Sequence, residues 1–172
     1  MKHTPALPVA RATLRALTVL NWIFGALILA LLAISFLAAD WTWRALGVGA
    51  VAGHESIITG MRAIMVIGIT GVPITYVVLS RLLTIVESVR AGEPFAAENA
   101  HRLRTIAWAL LALESLHIGV MAIAAAVSTK DVPLRFGDDF NLTGWLAILL
   151  LFVLAQVFLE GARMRDDLEG TV

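Results

Sequence analysis

The sequence predicts an all-α membrane protein, a four-helix transmembrane bundle with both termini cytoplasmic, and three observations carry that expectation. Hydrophobic residues make up 59% of the 172 residues and charged residues only 15%, and the mean hydropathy is +0.86, outside the range of soluble globular domains. Four stretches have roughly the 20 apolar residues that a helix needs to cross about 30 Å of hydrocarbon. Lys and Arg are placed asymmetrically between the segments that join them.

The expected spans are residues 16–38, 61–86, 105–128 and 142–160, with a cytoplasmic loop at 87–104 and a tail at 161–172 in a single domain of residues 1–172. The first lies between Arg15 and Asp40 and holds no charge. A secretory signal is the rival reading, but its apolar region has about 7 to 15 residues, so an uncleaved first helix is expected. The second starts near Met61-Arg62, contains Pro73, and its helical pattern continues through Arg81 to Glu87. The third is the one interrupted by ionisable groups, Glu114 and His117, and the fourth is uncharged from Leu142 to Leu159. Small-residue pairs such as Ala26/Ala30, Gly71/Thr75 and Ala122/Ala126 are expected to let helices approach closely. Asp139 or Asn141 suits an N-cap for the fourth helix.

Orientation follows from charge. Lys2, Arg11, Arg15, Arg81, Arg90, Arg102, Arg104, Arg163 and Arg165 fall on one side, and Arg44, Arg62, Lys130 and Arg135 on the other. The richer side is expected to be cytoplasmic. Trp41, Trp43 and Trp145 then sit near the outer interface and Trp22 and Trp108 near the inner one, where amphipathic rings prefer to lie. Thirteen Lys+Arg against thirteen Asp+Glu leave no net basic field, so direct binding of nucleic acid is not expected. The absence of Cys excludes disulfides and thiolate chemistry.

The middle loop and the tail carry a family resemblance. Ala91-Gly92-Glu93-Pro94-Phe95, followed by Asn99, Arg102-Leu103-Arg104 and Ile106-Ala107-Trp108, resembles the hallmark of the YoaS-like proteins, domain-of-unknown-function family 2975, a family of small bacterial four-span proteins. The ending from Val157 to Val172 is similar to that family's terminus. The resemblance implies residence in the bacterial cytoplasmic (inner) membrane and supplies no enzymatic activity, cofactor or catalytic residue. It also implies a neighbour, since many members are encoded beside a small helix-turn-helix regulator.

Three constellations carry candidate chemistry. Gly92 and Pro94 suit a helix stop and tight turn, and Phe95, Asn99, Arg102 and Arg104 form a candidate docking edge beside it. In the tail, Glu160 with Arg163, Arg163 with Asp167 and Arg165 with Glu169 stand at helical spacings. With Asp166 they make a net acidic segment able to engage the basic surface of a DNA-binding regulator. Glu114 and His117 share one face near the middle of a span, where charge is costly. They are read either as a proton-responsive pair or as polar packing against Thr70, Thr75 or Tyr76, with Pro73 leaving the Ile69 carbonyl as a further acceptor.

His3, His54, His101 and His117 stand in no metal-binding spacing, and no nucleophile elbow or phosphate loop occurs. The expectation is a non-enzymatic membrane regulator without cofactor or metal. It would bind a small helix-turn-helix protein through the 92–104 loop and the 160–172 tail, in contact with the bilayer and open to homo-oligomerisation. The alternative is a small transporter or proton-responsive channel component that uses Glu114 and His117.

Overall fold

The computed structural model of the chain describes residues 6–38, 54–93, 96–128 and 141–169, residues 165–169 in their backbone course only. The described residues form four helices: α1, Ala6–Leu37; α2, His54–Arg90; α3, Ala97–Val127; and α4, Leu142–Glu169. All four are long and apolar enough to cross a membrane, as in a multi-pass membrane protein. Trp41, Trp43, Pro94, Phe95, Asp139 and residues 170–172 lie outside the described residues.

Each helix outruns the apolar stretch that predicts it. Helix α1 begins at Ala6, ten residues before the expected span, because Arg11 and Arg15 are good helix formers and Pro8 falls in the first turn, where its missing amide hydrogen costs nothing. Helix α2, at 37 residues, is about 55 Å long, well beyond a hydrocarbon layer of about 30 Å. Glu55 in its first turn and Arg90 in its last complement the helix dipole. Helix α4 opens on the expected cap: Asn141 Oδ1 accepts from the Gly144 amide at 3.0 Å.

Many large apolar side chains face outward and few are fully buried. Leu27, Phe36, Leu149, Leu150 and Val157 are each at least 60% exposed, as befits helices whose surroundings are lipid and whose interior has little apolar surface to gather. By internal packing the chain divides into two compact units, one of residues 1–21, 74–112 and 141–172, the other of residues 22–73 and 113–140. The first has its core at Leu79, Leu103, Ile106, Ala107, Ile148 and Ala155. The second buries Ile57, Val72, Ala124 and Ser35.

In the second unit, glycine sets the close approaches. A Cβ at Gly25 would stand 2.9 Å from Val72 Cγ2, and one at Gly60 would stand 2.7 Å from Val127 Cγ2. The expected contact pairs Ala26/Ala30 and Ala122/Ala126 are instead exposed. One residue along a helix is a rotation of about 100°, so Ala26 turns away from the contact that Gly25 makes.

The C-terminal end of α1 is finished by a side chain from α2. The last turn of a helix leaves carbonyls without amide donors. Arg62 fills that role, donating through a terminal guanidinium nitrogen to the Ser35 carbonyl and through Nε to Ser35 Oγ at 3.3 Å. Its guanidinium also lies 4.0 Å from the centre of the Phe36 ring. A cation at a helix C-terminus is favoured by the dipole, which gives this Arg a function where its sequence alone marks only an outer flank.

Candidate functional site

The corner between α2 and α3 is built from three residue choices. Helix α2 stops because Gly92 takes φ +89, a conformation that side-chain-bearing residues rarely adopt. The Glu93 amide then donates back to the Ser88 carbonyl at 3.1 Å and the Gly92 amide to the Val89 carbonyl at 3.2 Å. This pair of bonds is a Schellman stop, and it satisfies two of the orphan carbonyls of α2.

Asn99, in the first turn of α3, ties the corner together. Its Nδ2 donates to Ser88 Oγ at 2.7 Å and to the Glu93 carbonyl at 3.4 Å, while its Oδ1 accepts from Arg102 Nη1 at 2.7 Å. Ser88 Oγ donates its own hydrogen bond to the Ile85 carbonyl at 2.9 Å. Every donor and acceptor of the Asn99 amide is thereby used, and the side chain is fully buried. Such a satisfied network holds one backbone geometry. Asn99, expected on the docking rim, is therefore beneath the surface, and a partner cannot reach it.

Gly92, Glu93, Glu98 and Arg104 are exposed and Arg102 is half-buried. Arg11 of α1 reaches Glu87 of α2 at 3.4 Å, bracing the same end of the first unit through a pair that the sequence does not flag because its members are 76 positions apart (87 minus 11). On α4, Glu160 and Arg163 pair at 3.6 Å, as their spacing predicts, and the helix continues to Glu169. The side chains of Arg165, Asp166, Asp167 and Glu169, like Pro94 and Phe95, lie outside the described residues.

The second candidate place is the middle of α3. Glu114 is half-buried and His117 exposed, and neither side chain has a hydrogen bond or ion pair with a described residue. Thr70, an expected partner, donates instead to the Val66 carbonyl at 2.9 Å on its own helix. Among the described residues no group of three or more His, Asp or Glu could hold a metal ion.

The model of a family described as "Protein of unknown function (DUF2975)" matches residues 50–172, which include both the corner and α4. No curated protein matches the chain, and no solved structure does.

Proposed function

The chain belongs to the DUF2975 family of proteins of unknown function, and from that premise we propose that it is a membrane regulator that docks a small cytoplasmic helix-turn-helix protein and withholds it from DNA. The observation that carries this reading is the continuation of α4 as one helix from Leu159 to Glu169, past the end of its apolar stretch. Glu160, Asp166, Asp167 and Glu169 outnumber Arg163 and Arg165 there. An acidic helical extension matches the basic surface with which a regulator binds phosphates, so protein and DNA compete for one face.

Supporting it, the positive-inside asymmetry puts the corner and the extension of α4 on the cytoplasmic side. The corner is braced before any partner arrives, which lowers the ordering cost of binding. The genes that the family resemblance places beside such proteins supply the class of partner. In this arrangement Arg104 and the exposed loop face of Gly92 and Glu93 form the rim, Asn99 and Arg102 hold the rim in place, and the α4 extension provides the charge.

Replacing Asp166, Asp167 and Glu169 together with Lys tests the charge mechanism. Association with the neighbouring regulator, measured on purified membranes at low salt, is expected to weaken at least about tenfold, the scale of a few lost charge contacts. Undiminished retention at equal membrane-protein level contradicts the reading.

A further inference from the structure

We propose that the groove between α3 and α4 beside Arg104 binds the phosphate of an anionic phospholipid. The groove has a volume of about 270 Å³ and is lined by His101 and Arg104 from α3 and by Phe152, Ala155, Gln156 and Leu159 from α4. Its lining contains an arginine, a histidine, a side-chain amide and no carboxylate. The side chains of His101 and Arg104 have no hydrogen bond or ion pair with a described residue. The nearest acid in the α4 sequence, Glu160, is engaged by Arg163.

The groove is polar at one end and apolar at the other, along the direction a lipid would take. His101 and Arg104 are spaced i, i+3, so their heads share one face of α3. Phe152 lies four residues from Gln156 toward the apolar middle of α4, about 6 Å deeper. Trp108, one turn deeper than Arg104, meets Phe152 edge to face, with ring centres 5.3 Å apart. Below the rings, Leu149 and Val153 are exposed, a lipid-facing continuation on which acyl chains can lie. Arg binds phosphate oxygens bidentately, with His and Gln as further donors, and basic recesses between spanning helices at the membrane surface are known to suit anionic headgroups.

This inference goes beyond the docking of a regulator and concerns the purified chain with no partner present. Native mass spectrometry of the full chain in mild detergent, with phosphatidylglycerol, phosphatidylcholine or inorganic phosphate added, tests it. Phosphatidylglycerol is expected to be retained about fivefold over phosphatidylcholine, the attraction of roughly one Arg for an anionic surface. Arg104→Gln should abolish the preference and Arg81→Gln should keep it, and millimolar inorganic phosphate should not displace the lipid. Equal retention of the two lipids, or undiminished preference in Arg104→Gln, overturns the proposal. Displacement by inorganic phosphate overturns the lipid assignment in favour of a free-anion site. A photoactivatable phosphatidylglycerol provides a check on the unaltered chain: the adduct is expected on peptides containing Arg104 or Gln156, and an adduct confined elsewhere contradicts the site.

Discussion

At the start of α3, Asn99 is fully buried and every hydrogen-bonding group of its amide is used, whereas further along the same helix Glu114 is half-buried, His117 is exposed and neither has a partner among the described residues. The two places carry similarly polar chemistry. They differ in what surrounds them: the corner offers backbone carbonyls freed by a helix end and a serine one turn before it, while mid-helix carbonyls are held in the ladder and are shared only with short hydroxyls such as that of Thr70, not with the longer Glu and His side chains. A helix terminus can therefore satisfy a polar side chain from within the chain. A helix middle leaves it to look outward.

The largest effect is expected where the comparison is sharpest. Asn99→Leu removes three bonds, takes its Oδ1 acceptor from Arg102 and leaves Ser88 Oγ and the Glu93 carbonyl each with one partner fewer, so unfolding in detergent followed by circular dichroism should register a loss of about 3 kcal/mol. Unchanged stability would mean that the corner is not held by this network. A second loss belongs to the second unit, where glycine replaces polar bonding as the device for contact. Gly60→Ala should cost about 2 kcal/mol by overpacking Val127, and adding Val127→Ala should recover most of it. Failure of that rescue would separate Gly60 from the Val127 contact.

The middle of α3 should behave in the opposite sense. Substituting Glu114 and His117 together by Leu removes outward polar groups and no bond with a described residue, so thermal stability is expected to rise by about 1 kcal/mol. A fall would show that the pair is bonded after all. The smallest effect concerns the Arg11–Glu87 pair, which is partly exposed. Arg11→Gln should cost about 0.5 kcal/mol at low salt and less at high salt, as screened surface pairs do, and a salt-independent loss would point to packing of the Arg11 stem.

Apolar length and local cap chemistry were legible in the sequence because each is written in consecutive residues. The four helices, the left-handed Gly92, the Asn141 cap and the Glu160–Arg163 pair follow from such signals. What escaped depends on contacts between distant segments. Asn99 reads as a surface rim residue until Ser88 is brought beside it, and Arg62 reads as a flank until the end of α1 meets it. The Ala26/Ala30 and Ala122/Ala126 expectation failed by helix rotation, since small size alone does not say which face meets a neighbour. Helix α1 begins before the expected span because an uncharged stretch measures the hydrocarbon, and a helix does not end where the hydrocarbon does.

The proposed function has the polar end of the chain hold a DNA-binding partner. Its most direct test is a pull-down of the tagged full chain from gently solubilised membranes, beside a chain lacking Glu160 to Val172. The expected result is recovery of a small helix-turn-helix protein by the full chain, loss of it from the stably expressed shortened chain, and competition between the recovered complex and operator DNA. Equal recovery by both chains, or binding that DNA does not oppose, contradicts the account.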